Sequence, residues 1–277
     1  MQNFLMLDDI IRNALLEDVG TGDITTLFTI PINKNISGKF IAKESGIICG
    51  ILVAKRVFEI VNSSIKMDIF FSDGAFVNKG DTIAEVSGLA QAVLTGERTA
   101  LNFLQLLSGI ATRTHNCVEQ VKTTKAMITD TRKTTPGLRV LEKYAVRIGG
   151  GHNHRYNLSD GVLIKDNHIK AAGGIIPAVL AARTAIPHTL KIEVEVESFE
   201  MIEQALECNA DIIMLDNMAI DDMKKAVELI NGRALVEASG NMGDRDLLEV
   251  AKSGVDIISI GALTHTIKAM DISLRFE

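Results

Sequence analysis

The chain has 277 residues, 47% of them hydrophobic and 23% charged, with a formal net charge of -6 at pH 7. That length supports one large core or a large and a small domain, and the composition excludes extended disorder. The acidic balance argues against a general nucleic-acid binder, whose affinity rests on many phosphate-neutralising cations, but it leaves room for a local basic pocket that holds a small anion. Cys49, Cys117 and Cys208 are widely spaced, without CxxC or zinc-like spacing, and are expected to be reduced and inert. Asp8 and Asp9 interrupt the N-terminal apolar stretch, and no apolar run reaches about 18 residues, so neither a signal peptide nor a membrane span is expected. The expected location is cytoplasmic.

Residues 5 to 17 read as an amphipathic helix with Leu5, Ile10, Ile11, Leu15 and Leu16 in one broad stripe, stopped by Gly20 and Gly22. From 37 to 87 short β-type runs are broken by glycine and polar turns, which predicts a small mixed α/β region. Within it VNKGDTIAEV reads as a hairpin similar to that of lipoyl or biotinyl carriers. Lys79 lies in the turn before Gly80 rather than at a tight tip, which favours a structural hairpin over a cofactor-carrying arm and weakens the reading of a non-catalytic binding module. TGERTALNFLQLLSGIATRTH then predicts a helix with Thr95 as N-cap, and Ser108-Gly109 marks the expected break into a second domain.

Beyond residue 125 six apolar runs (AMITDT, GVLIKDN, KIEVEVE, DIIMLDN, ALVEAS, DIISIG) alternate with helical patterns such as SFEMIEQALE and DDMKKAVELI. Alternation of this kind predicts βα units with a parallel sheet. Arg132, Lys133, Lys165, Glu195, Asp216, Ser239 and Gly261 all fall at or near the C-terminal ends of those runs, where β/α folds build their sites. Six runs are fewer than a closed eight-stranded barrel needs, so the expected fold class is α/β with an open or incomplete barrel of parallel strands.

Strand alternation puts Glu193, Glu195 and Glu197 on one face, where buried carboxylates need cations or a metal; a solvated edge is the alternative. Asp216 either joins them or caps the next helix. The segment 130–155 carries six Arg/Lys and two His against Asp130 and Glu142. Within it Arg132, Lys133, His154 and Arg155, with Lys165 beyond, suggest a polyanionic small substrate, because arginine's fork pairs bidentately with carboxylates and phosphates. Arg139, Lys143 and Arg147 have helical spacing and are expected on a solvated helix face. The glycines 149 to 151 serve either as an anion nest or as a helix stop. The turns Ser239-Gly240-Asn241 and Ile260-Gly261-Ala262 each follow a strand and precede a helical pattern, which suits either a phosphate or a plain tight turn. The histidines lack HExxH or other tight metal spacing, so no zinc site is expected; Mg²⁺ on Glu195 and Asp216 is compatible with the pattern.

TRKTTPGLRVLEKYAV, GGGHNHRYNLSDGVLIKDNHI and GERTALNFLQLLSGIAT resemble the quinolinate phosphoribosyltransferases, and the resemblance runs from EDVGTGDIT near the start to GALTH near the end. It implies an N-terminal α/β sandwich over 1–108, an open α/β barrel over 109–265, and a C-terminal tail, about 266–277, as a candidate to pack on the sandwich. The implied reaction is phosphoribosyl transfer from phosphoribosyl pyrophosphate to quinolinate with decarboxylation, giving nicotinate mononucleotide, pyrophosphate and CO₂ for NAD biosynthesis. By resemblance Arg132, His154, Arg155 and Lys165 line the pocket for the two carboxylates. Lys133 reaches the phosphoribosyl donor, Thr131 belongs to the substrate-binding set, Glu195 and Asp216 hold the ribose hydroxyls and Mg²⁺, and Lys165, Glu195 and Asp216 form the catalytic set. Ser239, Gly240, Asn241, Ile260, Gly261 and Ala262 occupy the phosphate turns, with Asn241 where the family commonly has glycine. Arg98 is similar to an arginine donated across a homodimer interface. The glycine run would end the helix and swing His154 and Arg155 over the barrel mouth. A paralogue on the same scaffold, acting on nicotinate or on a molybdenum-transport-associated substrate, is the alternative.

Overall fold

The structure is a computed structural model and describes residues 6–276; Leu5, the first residue of the expected helical stripe, lies outside them. In chain order the elements are α1 (Leu7–Val19), α2 (Ile24–Thr29), β1 (Asn35–Ala42), β2 (Gly46–Ile47), α3 (Ile51–Val61), β3 (Lys66–Ile69), β4 (Phe76–Val77), β5 (Thr82–Leu89) and α4 (Ala90–Val121). There follow β6 (Met127–Thr129), α5 (Arg139–Ile148), β7 (Val162–Ile164), α6 (Asp166–Ala172), α7 (Ile175–Ala185), β8 (Ile192–Val196), α8 (Phe199–Glu207) and β9 (Ile212–Asp216). The last are α9 (Ile220–Ile230), β10 (Leu235–Ser239), α10 (Leu247–Lys252), β11 (Ile257–Ser259), α11 (Ala262–His265) and β12 (Ile272–Phe276). They form two compact units. One comprises the chain up to His115, Thr135–Gly150 and the chain from Ile267 on; the other comprises Asn116–Thr134 and Gly151–Thr266.

The first unit is built on an antiparallel sheet of order β12-β1-β5-β3. The C-terminal tail supplies its edge, with Gly38 opposite Phe276 and Ala42 opposite Ile272. Phe40 on β1 meets Phe58 on α3 edge to face at 6.2 Å, and α3 also holds α1 through Arg56, whose Nε and Nη2 donate to Asp8 at 2.8 and 2.6 Å. The stretch 76–86 is not a hairpin: β4 pairs with β2 in a separate two-stranded sheet, while β5 pairs with β1 and β3. The turn between them, in which the Asn78 N–H donates to Asp81 Oδ2 at 2.8 Å, therefore joins two sheets.

One expected helix start moves for packing reasons, and the expected domain break lies within a helix. Thr95 lies inside α4, where its hydroxyl donates to the Gln91 carbonyl at 2.8 Å, and so is not an N-cap. Ser108-Gly109 does not break the helix. The Ser108 hydroxyl accepts from the Cys49 N–H at 3.0 Å and donates to its carbonyl at 3.2 Å, while a Cβ on Gly109 would stand 2.4 Å from the Lys268 carbonyl oxygen. The serine and glycine form a notch for neighbouring backbone within α4.

Helix α5 also belongs to the first unit and is less solvated than its charges imply. Arg147 is exposed and Arg139 half-buried, but Lys143 is fully buried beside Leu141, Glu142, Ala145 and Val146. So many buried positions leave little of a 10-residue helix open to water. Glu142 accepts the Thr135 N–H at 3.1 Å, and burial pushes its carboxyl pKa upward. At the C-terminal end, a Cβ on Gly149 would lie 2.4 Å from the Ala111 carbonyl, and Gly150 has φ +89°. These two glycines serve close helix contact and a left-handed turn.

The second unit holds a six-stranded parallel sheet of order β6-β11-β10-β9-β8-β7, and Thr129 bridges His152 in parallel beyond β6. All six predicted runs are strands. Val194, Val196, Ile213, Leu215, Val236, Ala238 and Ile258 are buried on one face, and the alternate positions carry Glu193, Glu195, Met214, Asp216, Glu237 and Ser239. Register aligns Glu195 with Met214, Met214 with Glu237, and Asp216 with Ser239.

Gly109→Ala should expose the notch. Alanine in a helix interior normally gains about 1 kcal/mol over glycine, but here the clash should make the variant about 1–3 kcal/mol less stable. Urea unfolding measures this, and a stabilised variant would contradict the packing.

Candidate active site

The strand ends of the second unit gather most of the expected residues. Lys165, closing β7, pairs through Nζ with Glu195 Oε2 on the neighbouring strand, and its N–H donates to His168 Nδ1 at 3.0 Å. Glu195 is half-buried, while Glu197 stands beyond the strand end and is exposed. Asp216 does not cap α9, whose N-cap is Ala219; its Oδ2 accepts from Asn217 Nδ2 at 2.8 Å. Lys165 and Asn217 thus each occupy one carboxylate oxygen and leave the other with no hydrogen bond to the described residues. Two half-buried carboxylates on adjacent strands, each with an oxygen to spare, are a donor set that fits a hard cation such as Mg²⁺.

The two turns have different backbone logic. The Asn217 N–H donates to the Ser239 carbonyl at 3.0 Å, and a Cβ on Gly240 (φ +93°) would fall 2.2 Å from Asn217 Oδ1. Only glycine fits there. Asn241 follows with φ +52°, a conformation that asparagine tolerates better than most side chains. At the other turn the Ile260 N–H donates to the Thr129 carbonyl at 2.9 Å, and Gly261 has an ordinary negative φ. Gly261 faces Lys133, since a Cβ there would lie 3.1 Å from Lys133 Cδ. Thr264 Oγ1 donates to the Lys133 carbonyl at 2.7 Å and the Lys133 N–H donates to Thr131 Oγ1 at 3.1 Å. The Thr131–Lys133 segment and the Gly261-Ala262 turn are therefore one assembly.

A second group lies deeper. His154 Nε2 is 3.1 Å from Glu193 Oε2 and 3.8 Å from Glu237 Oε2, and its Nδ1 accepts the Arg155 N–H at 2.8 Å. Buried Asp130 accepts the His154 N–H at 2.9 Å and Asn153 Nδ2 at 2.6 Å. Arg155 Nη1 donates to the Gly161 carbonyl at 3.0 Å; burial, with Arg132 nearby, lowers the guanidinium pKa. Asn153, His154, Arg155, Glu193 and Glu237 border a cavity of about 230 Å³, whose wall also includes Val162, Ile212 and Ile257, the first residues of their strands. Burial, reinforced by Glu193, pushes the Glu237 carboxyl up to about 7.

Arg132, Lys133, His154, Arg155, Lys165, Glu195, Asp216 and both turns all fall in the second unit, whereas Arg98 lies in the first, exposed on α4. Both nitrogens of His154 are engaged by the chain itself. Sequence reasoning passed over Asp130, Glu193 as a partner of His154, and Glu237. The signal for Glu237 was present, since it is the lone charge inside the apolar run ALVEAS.

A parallel open barrel whose cations and carboxylates gather at the strand C-termini is the layout of an α/β-barrel enzyme. The family model described as the quinolinate phosphoribosyl transferase N-terminal domain matches residues 23–108, and the C-terminal domain model matches 110–275. The chain belongs to the quinolinate phosphoribosyl transferase family. It is 43% identical over 272 residues to the probable nicotinate-nucleotide pyrophosphorylase (carboxylating) of Bacillus subtilis, covering 98% of this chain and 94% of that one. It is 43% identical to the chloroplastic nicotinate-nucleotide pyrophosphorylase (carboxylating) of Arabidopsis thaliana, covering 98% of this chain and 83% of the relative. The crystal structure of the Ehrlichia chaffeensis nicotinate-nucleotide pyrophosphorylase superposes with a TM-score of 0.95 at 42% identity, over 100% of both chains.

The raised pKa of Glu237 carries a sign. The folded state holds this proton more tightly than the unfolded state, so its stabilising contribution is present below the unfolded value of 4.5 and is lost as pH rises through about 7. Glu237→Gln should therefore gain on the parent between pH 5 and pH 8, by roughly 1–3 kcal/mol. Parallel stability profiles for the two proteins across that range would contradict the assignment.

Proposed function

We propose that the chain transfers the phosphoribosyl group of phosphoribosyl pyrophosphate to quinolinate and releases CO₂, giving nicotinate mononucleotide and pyrophosphate. The observation that carries the reading is the pairing of Lys165 with Glu195 next to Asp216 on the adjoining strand, with Lys133 against the Gly261 turn, in the unit that also holds Arg132 and Arg155. A dicarboxylate and a phosphorylated sugar require that combination of charges. The names of the relatives agree with it.

In this mechanism Arg132, Arg155 and Lys165 hold the two carboxylates of quinolinate. Lys133 and Thr131, backed by the Gly261-Ala262 turn, hold the phosphoribosyl donor, with the Ser239-Gly240-Asn241 turn presenting amides to a phosphate. Glu195 and Asp216 bind the ribose hydroxyls and are the residues that would hold Mg²⁺, which supplies neutralising charge for departing pyrophosphate. As the bond to pyrophosphate lengthens, positive charge grows at the anomeric carbon, and fixed carboxylates stabilise it without reorganising. The pyridine nitrogen of quinolinate forms the new bond to that carbon. The alkylated ring is cationic and accepts the electron pair of the adjacent C–C bond when CO₂ leaves, and a proton then takes the vacated ring position. Lys165 neutralises Glu195 in the free chain and is placed to pass its charge to a substrate carboxylate.

We further propose a homodimer in the cytoplasm. Among the described residues no helix is long and apolar enough to cross a membrane. Phe28 is 85% exposed and Ile32 72% exposed, with Leu16, Ile24 and Leu27 also open on the first unit, and such apolar groups call for a protein partner. Arg98, donated from one subunit to the site of the other, is the proposed shared residue.

CO₂ release from quinolinate should require both phosphoribosyl pyrophosphate and Mg²⁺; turnover of nicotinate alone would replace the acceptor. Losing one charge-assisted contact costs roughly 1.5–3 kcal/mol, so Arg155→Ala should weaken quinolinate binding at least about tenfold without unfolding the chain. Mixing Arg98→Ala with Arg155→Ala protein should restore part of the activity, because one hybrid site keeps both arginines. No recovery despite demonstrated subunit exchange would remove Arg98 from the shared site.

A further inference from the structure

Glu193 and Glu237 have no part in the transfer chemistry above, yet each is buried and turns a carboxyl oxygen toward His154. The state of the imidazole follows from its neighbours. Nδ1 accepts the Arg155 N–H at 2.8 Å, and a nitrogen that accepts there cannot carry a hydrogen. The ring hydrogen is therefore on Nε2, the atom that faces Glu193 Oε2 at 3.1 Å. In this arrangement Nδ1 faces the Arg155 N–H and Nε2 faces Glu193.

The same geometry decides what the cluster is for. His154, Glu193 and Glu237 present ligand atoms within 4.8 Å of one another, close enough to suggest a metal. A ligating Nε2 would have to give up its hydrogen while Nδ1 still accepts, leaving the ring as an imidazolate. The cluster is instead an acceptor, Glu193, for an N–H donor, with Glu237 beside it. From the opposite side buried Asp130 fixes the same loop by accepting the His154 N–H at 2.9 Å, and the Gly161 carbonyl fixes the far end of Arg155.

We propose that Glu193, flanked by Glu237, is a positioning residue for quinolinate binding: by accepting the Nε2–H of His154 it locks the imidazole as an acceptor for the Arg155 backbone and so aims the Arg155 guanidinium. The proposal rests on the reading of Arg155 as a substrate-binding residue. It makes His154 a link in the chain of contacts, acting on substrate through Arg155.

The test uses the full-length protein, with steady-state kinetics against both substrates. Glu193→Ala should raise KM for quinolinate by at least about tenfold, leaving KM for phosphoribosyl pyrophosphate within about twofold. Glu193→Gln should restore the parent value, because its amide oxygen accepts the same hydrogen. Equal defects in the two variants, or an equal rise of both KM values with a lowered Tm, would overturn the proposal. Nitrogen-15 spectra of the parent protein at pH 7.5 provide a readout that needs no variant: His154 should show a protonated Nε2 and a bare Nδ1, and a protonated Nδ1 would also overturn it. Arg155→Ala separates the two levels. A normal quinolinate KM in that variant sinks the substrate assignment and the proposal with it, whereas an impaired Arg155→Ala beside a normal Glu193→Ala sinks the proposal alone.

Discussion

A carboxylate cannot stand unanswered inside a barrel, and the second unit places three of them there, Glu193 and Glu195 on β8 and Glu237 on β10, with β9 between. In a low-dielectric interior an unpaired charge costs more than almost any packing gain can offset. Each of the three therefore determines something nearby. Glu195 draws Lys165 across from the adjacent strand. Glu193 takes His154, which fixes the backbone of Arg155. Glu237, with Glu193 as its neighbour, holds a proton into the neutral range. The cations that the proposed reaction needs are thus positioned by anions built into strands, the most rigid elements available.

The backbone supplies a second level of constraint. Register places Asp216 beside Ser239, so the turns that follow β9 and β10 must share space. Asn217 fills that space with its amide, and Gly240 is the consequence, since a Cβ would overlap it. Lys133 lies against Gly261, which has an ordinary negative φ, and the Thr264 hydroxyl ties the Lys133 carbonyl. Close approach accounts for Gly240 without any bound anion. A turn that leaves amides beside such a glycine is also suited to a phosphate, so the structural reason and the proposed functional one do not compete.

Much of this was legible in the sequence wherever one local rule decided the outcome. KIEVEVE shows strand alternation directly and DIIMLDN reads as a continuous buried run, and the strand ends followed from both. What the sequence could not show were contacts made at long separation. The reason for Ser108-Gly109, the backbone at Cys49 and Lys268, is remote in the chain. VNKGDTIAEV has the look of a hairpin because local alternation does not reveal which sheet each strand joins. Lys143 obeys the spacing of an exposed stripe and is nevertheless buried, since periodicity identifies a face but not what covers it. Resemblance to the family located most of the proposed site residues, yet it offered nothing on Glu193 or Glu237, whose role depends on a hydrogen position set by the Arg155 amide.

The pairing of the free site also bears on affinity. Lys165 already has Glu195, and Arg155 already donates to Gly161, so an arriving dicarboxylate competes with existing partners for these cations. The net gain is a difference between two charge-assisted contacts and falls well below the value of either alone. Preorganisation offsets part of this loss, because the cations lose little side-chain freedom when substrate binds. Discrimination benefits more than affinity does. A monocarboxylate such as nicotinate can satisfy only some of the displaced cations, leaving the others with contacts broken and none regained. On the proposed reading, the carboxylates that hold the site together also make a second substrate carboxylate a condition of productive binding.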